Sequence, residues 1–230
     1  FYLYKDTEGK CRTHEELLEA VGETQKDKNN KVILPYTSDV NAQHSFVKDA
    51  TERGYKVLNM EGQLAAHIVG KLEQTHTDIQ FKRVDSEIIE NLIEKDEETT
   101  SALDEKQQET LTPIVQSAFP EKGYDIKFAA MSPTSSPFVI TRSEWMRRMK
   151  EQQATGGGGG FQMFGEMPDK YDVTVNSNHP IAMQLLDEKD ETKRTATLKD
   201  AADLARLSQG ILEGEELTAF IERGFKKLQA

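Results

Sequence analysis

Residues 31–84, KVILPYTSDVNAQHSFVKDATERGYKVLNMEGQLAAHIVGKLEQTHTDIQFKRV, alternate short apolar runs with stretches of helical spacing, and that alternation decides the fold class. Residues 31–36 (KVILPY) have strand length, residues 40–53 carry helical spacing, and Gly54 supplies a stop before residues 55–60 (YKVLNM). Helical spacing returns over residues 61–73 through Leu64, Ala65, Ile68, Val69 and Leu72, and residues 78–84 (DIQFKRV) give a third strand. Strand, helix, strand, helix, strand predicts parallel pairing through right-handed crossovers, hence a small parallel three-layer α/β unit. No G-x-G-x-x-G follows a strand and no G-x-x-x-x-G-K-[ST] occurs, so phosphate binding is not expected and a nucleotide-handling α/β enzyme is only the weaker alternative reading.

Working outward, the opening FYLYKD has strand character, and Thr13-His-Glu-Glu16 fits a capping box for a helix over residues 13–21. Such a cap contributes about 1 kcal/mol. Downstream, the apolar positions Ile88, Ile89, Leu92 and Ile93 fade into the charged run EKDEETTS, which places a domain boundary near residues 95–101. The expected domains are residues 1–97 and 98–230. In the second, a helix is predicted over residues 103–117, with Pro113 kinking it or marking a packed bend. Strands follow at residues 124–131 (YDIKFAAM), 137–140 (PFVI) and 171–176 (YDVTVN). The proline-spaced SPTSSP between the first two predicts a hairpin-like return, and the whole an α+β three-stranded sheet with helices.

Composition excludes several function classes. The 230 residues hold 29 Lys and Arg against 40 Asp and Glu, a formal net charge of −11 that repels a nucleic-acid backbone. Cys11 stands alone, which excludes an internal disulfide and a multi-cysteine zinc site, fits a reducing compartment, and predicts a buried or unreactive thiol. The apolar runs are far too short to span a membrane, and a cytoplasmic location is expected. The chain opens without Met inside a predicted strand, as expected of a piece of something longer. His14, His44, His67, His76 and His179 show no metal-ligand spacing and no nucleophile motif occurs, so no catalytic, cofactor-binding or metal residue is assigned.

Two other segments carry candidate binding surface. Thr141-Arg-Ser-Glu144 fits a second capping box, and the helix it would start puts Trp145, Met146 and Met149 on one stripe flanked by Arg147, Arg148 and Glu151. Met thioethers repack against many apolar shapes, so the stripe suits a variable apolar partner; the alternative is packing on this chain's own sheet. Gly156–Gly160 would then tether Phe161, Met163 and Phe164. After residue 180 the chain reads as helices, with residues 187–194 as a turn or exposed lead-in. Leu198, Ala201, Ala202, Leu204, Ala205, Leu207 and Ile211 are apolar around more than one face. Gly210 and Gly214 bracket a break, after which Leu217, Phe220, Ile221, Phe225 and Leu228 recur at helical spacing. Two copies of this helix pair would hide the surplus as a dimeric four-helix bundle, with Leu204, Leu207, Ile211, Leu217, Phe220, Ile221, Phe225 and Leu228 at the interface; the alternative is intramolecular packing.

These residues carry a resemblance. Thr13-His-Glu-Glu-Leu-Leu18, Glu52-Arg-Gly-Tyr-Lys-Val57, Leu111-Thr-Pro-Ile114, Met131-Ser-Pro-Thr134, Pro137-Phe-Val-Ile140 and Val175-Asn-Ser-Asn-His-Pro-Ile181, in this order, resemble the rear half of the heat-shock protein 90 family of chaperones. The match covers essentially the whole chain: the small α/β end of the middle domain, then the C-terminal dimerisation domain. The resemblance implies a cytosolic, homodimeric, stress-responsive chaperone as the parent, using ATP and magnesium at a site that precedes Phe1, so this piece is expected to be no enzyme. It implies unfolded or partly folded client proteins as partners, and neither nucleic acid nor membrane. Trp145 and Met149 match two family methionines that face clients, and Lys150, Glu151, Gln152 and Gln153 stand where some relatives carry further apolar residues. The chain ends in FKKLQA, without the acidic pentapeptide of eukaryotic cytosolic members, which points to a bacterial type.

Overall fold

The computed structural model describes residues 2–62, 64–95, 99–120, 123–142, 148 and 170–229. Among these, contacts gather residues 2–95 with Arg142 and Arg148 into one compact unit, and residues 99–141 with 170–229 into another. The described residues are mixed α/β, with three small sheets among them.

The first unit opens with an antiparallel pair, β1 (Tyr4–Lys5) and β2 (Cys11–Arg12). α1 (His14–Val21) follows, and both halves of the expected capping box are present: Glu16 N–H donates to Thr13 Oγ1, and Thr13 N–H donates to Glu16 Oε2 at 2.8 Å. Then come β3 (Val32–Thr37), α2 (His44–Glu52), β4 (Leu58–Asn59), α3 (Ala65–Thr75), β5 (Ile79–Arg83) and the short α4 (Ile89–Leu92). The sheet order is β4-β3-β5, parallel throughout, with Val32 opposite Ile79 and Tyr36 opposite both Arg83 and Leu58.

Every residue of β3 is buried, which is why it appears in sequence as an unbroken apolar run. Its alternate side chains enter different clusters. Val32, Leu34 and Tyr36 pack with Leu17 and Val21 of α1 and Ala65 and Val69 of α3. Ile33 packs with Val47 and Ala50 of α2 and Leu92 of α4. Pro35 sits in this central strand without breaking the ladder. Tyr36 O accepts from Val84 N–H on the β5 side and Thr37 O from Met60 N–H on the other. Pro35 therefore faces the β4 side, one residue before β4 begins to pair at Tyr36, where no N–H is needed.

The second unit contains α5 (Glu105–Gln116), β6 (Tyr124–Ala129), β7 (Phe138–Arg142), β8 (Tyr171–Asn176), α6 (Pro180–Asp187), α7 (Glu191–Ser208) and α8 (Gly214–Leu228). Asp104 and Gln107 cap α5 reciprocally, and Pro113 lies on an exposed position of a helix that continues to Gln116. The expected hairpin-like return between β6 and β7 is not formed. The order is β6-β8-β7, with β8 parallel to β6 from Tyr124 opposite Tyr171 to Ala129 opposite Asn176. Burial explains the order: β8 keeps Val173 and Val175 at 0% exposure and buries Thr174 and Asn176 as well, whereas β6 alternates exposed with half-buried residues, as an edge strand does.

The Val175–Ile181 motif is a hydrogen-bond hub. Asn176, fully buried, accepts at Oδ1 from Met131 N–H and Asn178 N–H and donates from Nδ2 to Ser132 O. Asn178 accepts from Ala102 N–H and donates to Met131 O and Thr100 O. Pro180 then starts α6 at the position where a missing N–H costs nothing, with His179 Nδ1 accepting from Ile181 N–H. The loop joining β8 to α6 thus fastens three segments distant in sequence. α7 begins at Glu191 under an Asp190 cap, so the polar lead-in is partly helical. Cys11, expected to be buried or unreactive, is exposed. Among the described residues no helix is long and apolar enough to cross a membrane.

Candidate functional site

α7 is apolar on more sides than the second unit can cover. Its residues Leu198, Ala201, Ala202 and Ala205 join the core with Phe138, Ile140, Val173 and Val175. Leu204 and Leu207, three apart on another face, remain 56% and 43% exposed. Gly210 and Gly214 both adopt positive φ, +65° and +57°, and the chain turns between them with Leu212 buried.

α8 buries none of its residues. Leu217, Ile221 and Phe225 follow at intervals of four and Leu228 three later, which aligns them on one stripe. Leu217 is half-buried, as are Ile211 in the turn and Phe220 beside the stripe; Ile221, Phe225 and Leu228 stand 47%, 63% and 84% exposed. What ties α8 to α7 is largely charge. Arg206, itself buried, pairs with Glu216 and with Asp203 at 3.6 Å. Arg223 pairs with Asp203 and with Asp200 at 3.4 Å, Lys227 also reaches Asp200, and the Arg223 guanidinium lies 5.7 Å from the Phe220 ring centroid. The pairs that cross from α8 each have an exposed or partly exposed member, Glu216, Arg223 or Lys227, and contribute about 0–1 kcal/mol each, whereas full burial of each large apolar side chain would contribute roughly 1.5–3 kcal/mol. The second quantity is the larger, and a single chain leaves most of it unrealised.

The Glu216 carboxyl is held below its ordinary value, first by the Arg206 hydrogen bond, against the opposing pull of burial. A depressed folded value stabilises the α7–α8 link above the unfolded carboxylate value, and this contribution is lost as pH falls through the folded value. Hydrogen-exchange protection of α8 is therefore expected to fall on acidification, and Glu216→Gln to lower it already at neutral pH by no more than about 1 kcal/mol.

Trp145, Met146, Met149, Phe161, Met163 and Phe164 lie outside the described residues, as does Glu144 of the second capping motif, whose Thr141 lies in β7. Arg148, from the same stretch, is described. Its guanidinium donates to Glu73 Oε2 at 2.8 Å and to Phe81 O at 3.0 Å, while Glu73 Oε1 accepts Phe81 N–H at 2.8 Å. One residue of the candidate client segment is thus fastened to α3 and β5 through an acceptor pair that its sequence spacing does not disclose.

The sequence model of the family described as Hsp90 protein matches residues 13–220. The chain is 37% identical over 193 residues to the chaperone protein HtpG of Bacteroides thetaiotaomicron, covering 83% of this chain and 28% of that protein. It is 34% identical over 194 residues to the chaperone protein HtpG of Bacteroides fragilis, covering 83% and 28%. With the chaperone protein HtpG of Porphyromonas gingivalis, identity is 33% over 210 residues, covering 90% and 30%. The chain thus spans less than a third of the length of these relatives.

Proposed function

The chain belongs to the Hsp90 protein family, of the bacterial type, and from that premise we propose that it is the dimerisation and client-contact segment of an ATP-dependent chaperone that assists protein folding. The observation that carries the dimer is the stripe of Ile221, Phe225 and Leu228, left exposed on a helix that buries nothing in its own chain, together with the exposed Leu204 and Leu207 of α7. A second copy supplies a self-complementary apolar surface and closes a four-helix bundle about a two-fold axis. Holding two protomers together raises the effective concentration of whatever each carries elsewhere, so that weak contacts between remote modules form and break. In this proposal the ATP and magnesium site belongs to the parent protein outside this piece, the parent is cytoplasmic, and residues 1–97 and 98–230 are its two domains here, the first layered as a three-layer α/β unit.

Client contact is assigned to Trp145, Met146 and Met149, supported by Phe161, Met163 and Phe164. Trp145→Ala combined with Met149→Ala is expected to weaken capture of a chemically unfolded reporter protein while light scattering still reports the dimer. Unchanged reporter affinity rejects the assignment. If the stripe is instead internal core and the segment a structural clamp, the same pair lowers melting temperature sharply, because deleting large buried side chains costs roughly 2–5 kcal/mol each. Quenching of the single indole by added iodide separates the two outcomes before any substitution is made.

A further inference from the structure

His14 opens α1, His76 caps the end of α3, and Asp78 stands immediately before β5, so three elements of the first unit converge on one point. The ligand atoms of the three residues all lie within 4.8 Å of one another. The two imidazoles stack with centroids 3.7 Å apart and planes 21° apart. Tyr4 Oη lies 3.3 Å from His14 Nδ1, and beside the pair opens a cavity of about 290 Å³ whose lining includes Tyr2, Glu15 and Leu72.

We propose that His14, His76 and Asp78 form a binding site for a borderline divalent transition metal of the zinc type. The donor set selects the class: two imidazole nitrogens and one carboxylate oxygen suit zinc, whereas magnesium and calcium require oxygen ligands throughout. The distances are close to those needed. Three atoms at the corners of a triangle of that edge lie about 2.8 Å from its centre, so zinc distances of about 2.0–2.2 Å require each to move inward by less than about 1 Å. The rings must also splay from their stack to aim their lone pairs at a common point, and the cavity leaves space for that rotation. Both His side chains are half-buried, and zinc takes imidazole in its neutral form. Tyr4 supplies the orienting partner: with His14 Nδ1–H donating to the phenolic oxygen, Nε2 is left for the metal. Three protein ligands leave a fourth position for water or for a group supplied by another molecule. A bound metal would staple the first turn of α1 to the end of α3 and the start of β5, and would stabilise the unit because it binds only the folded form.

Zinc chloride titrated calorimetrically into the whole chain carrying Cys11→Ser, which removes the exposed thiol as a competing ligand, is expected to give saturable one-to-one binding. EDTA should reverse it, and the melting temperature should rise with zinc concentration and not with magnesium chloride. His76→Ala is expected to weaken zinc binding at least about tenfold, with the circular dichroism and melting temperature of the zinc-free protein close to those of the parent. Asp78→Asn, at an exposed position, is expected to weaken it as well and remains decisive if the His variant does not fold. Absence of saturable zinc binding, or parental affinity in Asp78→Asn, overturns the site and leaves His14 and His76 as a stacked aromatic pair.

Discussion

Replacing Ile221 and Phe225 together by Glu is expected to turn the proposed dimer into a monomer at micromolar concentration, read as a halved mass by light scattering on a sizing column. Both side chains are already exposed in the single chain, at 47% and 63%, so the substitution removes no contact from the protomer's own core. In the proposed bundle both lie in the apolar interface, and each Glu would bring a charge into it from either protomer. Truncating a central anchor costs about 2 kcal/mol or more, so the pair weakens association by about 4 kcal/mol, on the order of a thousandfold. The matched control is Glu215 and Glu222, also exposed on α8 but off the stripe; changing both to Gln should leave the mass unchanged. A variant that remains dimeric with both stripe residues charged would falsify the assignment of α8 to the interface.

Asp6→Ala is expected to destabilise the first unit by about 3–5 kcal/mol, read as a shift of its urea midpoint. Asp6 is 1% exposed and Arg12 6%, and the Arg12 guanidinium donates to Asp6 Oδ2 inside the β1–β2 turn. Asp6 Oδ1 also accepts from Lys10 N–H at 2.8 Å and Glu8 N–H at 3.1 Å. Removing the carboxylate therefore strands a buried guanidinium and two backbone donors at once. Burial by itself raises the Asp6 carboxyl, but hydrogen bonds from Arg12, Lys10 and Glu8 outweigh it and the net displacement is downward. A lowered folded value means that the stabilisation is complete above the unfolded carboxylate value and is lost as pH falls through the folded one. The parent should consequently lose stability on acidification through that range, and Asp6→Ala should lose less. Glu8→Ala, which breaks the exposed pair with Lys56 at 3.3 Å, is expected to cost under about 1 kcal/mol. A double replacement of Asp6 and Arg12 by Leu and Met should recover the part of the loss due to the stranded guanidinium, because no charge is then left buried, while the Lys10 and Glu8 N–H groups still lack their acceptor. If the two single variants, Asp6→Ala and Glu8→Ala, prove equally mild, the buried pair is not a strong contributor.

The parallel sheet of the first unit and the cap of α1 were legible in sequence because each signal is local. A fully buried central strand has to be apolar at every position, and a capping box spans only Thr13 to Glu16. The cap of α5 carries the same kind of local signal in Asp104 and Gln107. The order β6-β8-β7 was not legible: alternation in YDVTVN states that one face is buried, but not which strands lie on either side. Contacts closed by chain return were equally silent. Arg148 reaches Glu73 and the Phe81 carbonyl from 75 and 67 residues away in sequence, and nothing in the spacing of TRSEWMRRMK indicates an acceptor on α3.

The surplus of apolar side chains after residue 198 was fixed by composition and helical period, since α7 and α8 together present more than one face. Only tertiary packing decided which of them one chain covers: Leu198, Ala201 and Ala205 go inward, while Leu204, Leu207, Ile221, Phe225 and Leu228 stay in water. The same holds for the histidines. Sequence separates His14 from His76 and Asp78 by the whole of β3, α2, β4 and α3, and a metal needs proximity in space, which only the closing of the parallel sheet against α1 and α3 supplies.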